Sequence, residues 1–302
     1  MPAVSPMKIG WHKPMFKYDQ AEGIRRMTQP KPVRVLAVSS GKGGVGKTNV
    51  SVNLGVSLCQ LGRRVALMDA DMSLANVDIL LGLQPKFNLS HVLSGERTLE
   101  EVMLEGPAGL KIVPGSSGIQ RMAELSVAEQ SGVIQAFSDV SSDLDVLIVD
   151  TAAGISSSVV TFARACQEIV LVVCDEPTSM TDAYAFIKLM NRDYGVFRFQ
   201  ILTNMVQDER QGQSLYAKLC KVTDRYLDVT LNFLGAVPQD EYLRKAVQKQ
   251  GPVVLLYPQS RSAEAFRSLA RKTDVLPVSD ALSGRLEFFV ERMIEYSNAV
   301  NL

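Results

Sequence analysis

Gly41-Lys42-Gly43-Gly44-Val45-Gly46-Lys47-Thr48 fits the pattern GxxxxGK[ST] and lies between a short β-branched apolar run at 33–38 and a helical pattern at 49–61. That setting matters as much as the letters, because the chemistry needs a turn between a strand end and a helix start. The glycines let successive backbone N–H groups point at a phosphate, and the helix N-terminus adds the positive end of its dipole. Lys47 is placed to neutralise the β- and γ-oxygens of a triphosphate, and the Thr48 hydroxyl to ligate Mg²⁺.

Two further strand ends carry carboxylates that such chemistry requires. Asp150 closes the apolar run Val146-Leu147-Ile148-Val149 and precedes Thr151-Ala152-Ala153-Gly154, small residues that let backbone pass close to a γ-phosphate. We assign Asp150 to the metal ion or its waters. Asp69-Ala70-Asp71 ends another apolar run. Two carboxylates beside a triphosphate repel it unless one faces the cation and the other a water, so Asp71 is assigned to positioning the attacking water.

The elements that must hold these residues alternate regularly. Runs at 33–38, 64–69, 110–113, 145–150, 168–174, 199–204 and 229–237 read as buried strands, and amphipathic stretches at 49–61, 127–137, 181–192 and 213–226 read as helices. Such alternation predicts an α/β fold: a mostly parallel, twisted sheet with helices on both faces and its ligand at the carboxyl ends of the strands. The length suits one large domain with short appendages. We expect an arm at 1–31, an ATPase domain at 32–278 and a C-terminal amphipathic helix at 279–302.

Taken together these motifs resemble the MinD/ParA superfamily of deviant Walker ATPases, whose diagnostic feature is a second lysine early in the loop, here Lys42. The resemblance implies that Lys42 reaches across an ATP-dependent homodimer to the partner copy's phosphates, so that hydrolysis removes the charge it neutralises. It also implies that Asn204 and the Val237-Pro238-Gln239-Asp240 stretch, through Pro238 and Asp240, contact adenine, and that Glu176 lies on the nucleotide side of the dimer. Asn, Pro and Asp at strand ends also occur as plain turn formers. Within the superfamily the chain is most similar to the flagellar-number regulators of the FlhG/FleN branch. It shares with them Asp19-Gln20-Ala21 with Arg25-Arg26-Met27, the phosphate loop, 174–184, and Leu286-Glu287-Phe288-Phe289-Val290-Glu291-Arg292. That branch implies Gln20 as the contact to a signal-recognition-type GTPase, FlhF. It further implies restraint of the flagellar master transcription activator and contact with flagellar C-ring proteins.

At helical spacing Leu286, Phe289, Val290 and Met293 share one face. The resemblance makes this a membrane-contacting helix, and an ordinary helix docked on the domain remains the alternative. The terminal segment carries two arginines against three glutamates, so one copy attracts anionic lipid weakly and two copies on a dimer gain by effective concentration.

Composition narrows the rest. Lys plus Arg equals Asp plus Glu at 32 each, which leaves no overall field for nucleic acid. Residues 1–34 differ, with seven basic residues (Lys8, Lys13, Lys17, Arg25, Arg26, Lys31, Arg34) against Asp19 and Glu22. Cys59, Cys166, Cys174 and Cys220 form no CxxC pair, so neither a zinc nor an iron–sulfur ligand set is expected. No apolar run reaches the roughly 18 residues of a membrane span, and we expect a cytoplasmic protein that associates reversibly with the inner face of the membrane at a pole. The function expected is a slowly hydrolysing, ATP-driven dimer switch that sets flagellar number and placement. A division-site or plasmid/chromosome partition ATPase is the rival, and it needs DNA-binding basic residues that lie here only as isolated pairs outside the arm.

Overall fold

The structure, a computed structural model, describes residues 32–71, 76–115, 127–277 and 286–300. The arm and its Gln20 lie outside them, as do residues 279–285 and 301–302 of the expected C-terminal helix. Along the chain run β1 (Arg34–Ser40), α1 (Lys47–Gln60), β2 (Val65–Ala70), α2 (Val77–Leu81), α3 (Leu89–Leu93) and α4 (Leu99–Val102). Next come β3 (Leu104–Glu105), β4 (Lys111–Val113), α5 (Val127–Ser141), β5 (Val146–Ala153), α6 (Ser157–Ala165), β6 (Glu168–Cys174), α7 (Pro177–Arg192) and β7 (Arg198–Val206). The last are α8 (Glu209–Tyr226), β8 (Thr230–Pro238), α9 (Glu241–Gln248), α10 (Val253–Leu256), α11 (Arg261–Asp274) and α12 (Leu286–Val300).

The strands form one sheet in the order β3-β4-β2-β5-β1-β6-β7-β8. Every pairing is parallel except β3 with β4, a two-residue antiparallel edge too short to leave a periodic signal in the sequence. Side chains alternate along each strand, so one sheet supplies two apolar faces. Leu36 and Val38 point into a core shared with α1, α10 and α11, whereas Val35 and Ala37 point into a core shared with α5, α6, α7 and α12. β1 lies at the centre, between β5 and β6. All seven of its residues are buried, as a central parallel strand requires.

The C-terminal helix departs from one expectation. Leu286, Phe289, Val290 and Met293 are each at most 2% exposed and pack with Ile294 against α5 and α6. The face assigned to lipid is therefore a protein-facing surface in this conformation. An amphipathic stripe records that one side of a helix avoids water, and it does not say whether protein or lipid does the covering. Ser138 on α5 donates to Glu287 Oε1 at 2.5 Å at the edge of this contact.

Candidate functional site

At the carboxyl end of β1 the chain turns through 41–46 and enters α1. Gly44 and Gly46 take φ of 79° and 88°, a left-handed conformation that side-chain-bearing residues seldom adopt. Gly41 is required for a different reason: a Cβ there would sit 2.2 Å from the carbonyl carbon of Asp182, so the loop rests directly on the α7 backbone. Gly43 and Val45 complete the loop, Val45 as its buried anchor, 3% exposed. α1 starts with no side-chain cap and no acidic residue in its first turn. Its first N–H groups are left for an anion.

Three charged groups converge beneath this loop. Lys47 is 9% exposed, and burial lowers its pKa while Asp150 and Asp71 push it back up. Asp150 is 1% exposed, and burial pushes its carboxyl up to about 7 even though the hydroxyls of Thr48 and Ser51 bond to it, Ser51 at 2.9 Å. Asp69 stands opposite Asp150 in register on β2, and this second carboxylate raises the pKa of Asp150 further. A carboxyl so placed ionises readily only beside a cation. Thr48 and Asp150 therefore have the donor chemistry for Mg²⁺, with Lys47 at the neighbouring position for phosphate oxygens. Asp71 leaves the end of β2 half-buried and accepts from Asn76 Nδ2 at 3.5 Å.

The base-recognition residues come from the other half of the sheet. Asn204 is 2% exposed near the end of β7, and its Nδ2 donates to the Val45 carbonyl at 2.7 Å. Its Oδ1 is buried with no hydrogen-bond partner. A buried amide oxygen without a donor costs about 1–3 kcal/mol, and an adenine amino group is the kind of donor that would satisfy it. Met205, next in the chain, has φ of 57°, unusual for a non-glycine residue, and its side chain passes over Gly46. The sequence carries no signal for that strain, and Met205 was missed.

Two expected contacts take different forms. Asp240 accepts the Tyr242 N–H at 2.9 Å and both the Ser262 N–H and hydroxyl at 2.9 and 2.8 Å, capping α9 and tying it to α11. Burial alone would raise its pKa, and these bonds hold it below the usual value. Its carboxylate is thus a brace for the Pro238-Gln239-Asp240 turn rather than a group presented to a base. Pro238 ends β8 and stays half-buried. Lys42 is bound within its own chain: its ammonium donates to Glu176 Oε2 at 2.5 Å and to the Thr178 hydroxyl at 2.8 Å. The Glu176 bond, followed by partial desolvation working against it, raises the Lys42 pKa. Glu176 thereby contacts the signature lysine, and both side chains remain exposed to solvent.

A parallel sheet with a glycine-rich strand-to-helix loop, a buried lysine and paired strand-end carboxylates defines a P-loop nucleotide-binding domain. The ParA family profile, described as the NUBPL iron-transfer P-loop NTPase, matches residues 31–274. The chain is 56% identical over 273 residues to "Antiactivator FleN" of Pseudomonas aeruginosa, covering 90% of this chain and 98% of that one. It is 33% identical to "Flagellum site-determining protein YlxH" of Helicobacter pylori, covering 87% and 90%. Among solved structures it is similar in fold to septum site-determining MinD of Pyrococcus horikoshii complexed with Mg-ADP, at a TM-score of 0.63 and 24% identity over 80% and 96% of the two chains. The chain belongs to the ParA/MinD family of P-loop NTPases, in the branch that contains FleN.

Proposed function

We propose that this protein is an ATP- and Mg²⁺-dependent dimerisation switch that hydrolyses ATP slowly and controls flagellar number and placement. The observation that carries the reading is Lys42: a second, exposed lysine at the mouth of a phosphate loop whose own lysine, Lys47, already occupies the interior. An exposed cation held by an exposed carboxylate and a hydroxyl contributes little to folding, so it can be exchanged for a stronger anion. The phosphates of a nucleotide held by a second copy are such an anion, and the trade would link nucleotide occupancy to association.

Bound Mg²⁺ would screen the phosphate charge and polarise the γ-phosphoryl group. The chain's own residues do the rest. Lys47 and the loop N–H groups fix the phosphates, Thr48 and Asp150 hold the cation, Asn204 and the Pro238 turn select the base, and Asp71 orients water. Glu176 and Thr178 park Lys42 until a partner copy arrives.

Likeness to FleN and YlxH supports the flagellar reading. By that likeness the dimer binds a flagellar GTPase of the FlhF type through the Gln20 element, restrains the flagellar master transcription activator, and contacts C-ring proteins. No helix among the described residues is long and apolar enough to cross a membrane. Membrane contact at a pole would instead use α12, and only after Leu286, Phe289, Val290 and Met293 leave their site on α5 and α6. α6 follows the Asp150–Gly154 strand end by three residues, so movement there on nucleotide binding would reach α12 directly.

Sedimentation of the wild type with ATP and Mg²⁺ should give a dimer, and Lys42→Ala a monomer that still binds nucleotide. A dimer unchanged by Lys42→Ala would remove the switch. Counting flagella per cell after gene deletion tests the biological assignment separately, and an unaltered count would leave only the ATPase.

A further inference from the structure

Asp69 is 1% exposed, and the functional reading above gives it no task. Its carboxylate nevertheless accepts three backbone N–H groups. Oδ1 accepts the N–H of Asp71 at 3.0 Å, and Oδ2 accepts those of Asn76 at 2.9 Å and Val77 at 3.2 Å. Burial raises its pKa, and the three N–H bonds work in the opposite direction, each favouring the ionised form.

These three donors lie just after β2 and at the start of α2. Asn76 also reaches Asp71 Oδ2 with its own amide at 3.5 Å. A single buried carboxylate therefore joins Asp71, the water-orienting residue, to the first residues of α2. α2 begins at Val77 with no side-chain cap from Asn76, so the bond from Val77 N–H to Asp69 also serves as that helix's anchor.

We infer that Asp69 is the positioning residue of the hydrolytic site: by accepting the N–H groups of Asp71, Asn76 and Val77 it clips Asp71 to the start of α2, so that the Asp71 carboxylate is presented to the attacking water. This rests on the reading of Asp71 given above. Asp69 acts through Asp71. The physical logic is that a misplacement of about 1 Å in a group that orients a nucleophile costs on the order of 100-fold in rate, while ground-state binding, made elsewhere, is spared.

Asp69→Asn is the informative variant. It keeps size and shape but leaves one acceptor oxygen where there were two, and sets an NH2 donor against either the Asp71 N–H or those of Asn76 and Val77. In steady-state ATPase assays the turnover number should fall 10- to 100-fold while ATP affinity, measured with a fluorescent nucleotide, changes less than 3-fold. Asp69→Asn added to Asp71→Ala should produce no additional fall, because both act on one step. Backbone amide exchange reports on the clip without any catalysis: the Asp71, Asn76 and Val77 amides should exchange at least 10-fold faster in Asp69→Asn, with strand β5 unchanged. Unaltered exchange at these three amides overturns the clip, and fast exchange with full turnover overturns its role in positioning. A wild type that releases no phosphate, yet shows the exchange difference, sinks the hydrolytic reading and with it the positioning role.

Discussion

The phosphate loop and the C-terminal helix are both attached to the same sheet, and they are attached in opposite ways. The loop is held by backbone constraints written into consecutive residues: left-handed Gly44 and Gly46, and Gly41 against the Asp182 backbone. The polar groups gathered around it are unsatisfied, with the Lys47 charge disfavoured by burial, Asp150 on β5 raised to about 7, and the Asn204 oxygen on β7 unpaired. α12 has no such tension. Five apolar side chains fill one face, and Arg164 closes one edge between Tyr194 and Tyr296. The contrast separates a region built to be completed by a ligand from one that is complete as it stands, and substitutions in the two should fail in different currencies.

The largest effect is expected in α12. Phe289 is 2% exposed in the core shared with α5 and α6, so Phe289→Ala should cost about 3–5 kcal/mol in chemical denaturation. Nucleotide affinity should be unchanged. Should the loss come out below about 1 kcal/mol, α12 unfolds locally before the domain does, and its docking is a weak, detachable contact. The converse substitution is Lys47→Met. It should weaken ATP binding by roughly 100-fold, close to 3 kcal/mol, without lowering the melting temperature of the nucleotide-free protein, because the removed charge was disfavoured by burial. A drop in melting temperature comparable to that of Phe289→Ala would erase the distinction between the two regions.

Asn204→Ala comes next. Removing the unpaired oxygen should reduce ATP affinity by about 5- to 10-fold and bring ATP and GTP closer together, since a buried acceptor discriminates against a base that lacks a matching donor. Competition titrations with the two nucleotides measure the ratio. An unchanged ratio would mean that the base is chosen by the Pro238 turn alone.

The same contrast explains what the sequence discloses. The loop is legible because its function depends on residues adjacent in the chain, and the seven main strands are legible because a strand buried on both faces has to be a short apolar run. Strand β6 coincides with the expected 168–174, whereas β5 and β7 run beyond the expected ends through Thr151-Ala152-Ala153 and Met205-Val206. Polar or small residues continue those ladders because neighbouring strands supply the hydrogen bonds, which no local pattern records. The bonds of Asp240 are hidden from the sequence for a related reason. Its spacing to Tyr242 suits a cap, and the further bonds come from Ser262, 22 residues away. Asp69 lay in plain view beside Asp71, but its bonds are all to backbone N–H groups, which every residue possesses. The covering of α12 by α5 and α6 depends on contacts more than 120 residues apart in the chain, beyond the reach of helical periodicity.

Arg164 should give the smallest effect and the finest resolution of how α12 is held. Its guanidinium carbon lies 4.3 Å from the Tyr194 ring centroid and 3.8 Å from that of Tyr296, so one cation bridges α6, the loop after α7, and α12. Cation–π contacts that are partly desolvated contribute about 0.5–2 kcal/mol, and here two rings share one cation. Arg164→Ala should therefore lower stability by about 1 kcal/mol, with Tyr296→Ala similar and Tyr296→Phe near wild type, because the ring face rather than the hydroxyl makes the contact. The double variant Arg164→Ala/Tyr296→Ala should show a coupling of about 0.5–1 kcal/mol. Arg164→Lys separates charge from shape: the shorter, more hydrated ammonium cannot lie flat between both rings, so it should recover less than half of the loss. Full recovery by lysine would mean that the bridge is a charge effect only, and zero coupling in the double variant would show that Arg164 does not hold α12 to the helix that follows the Asp150 strand.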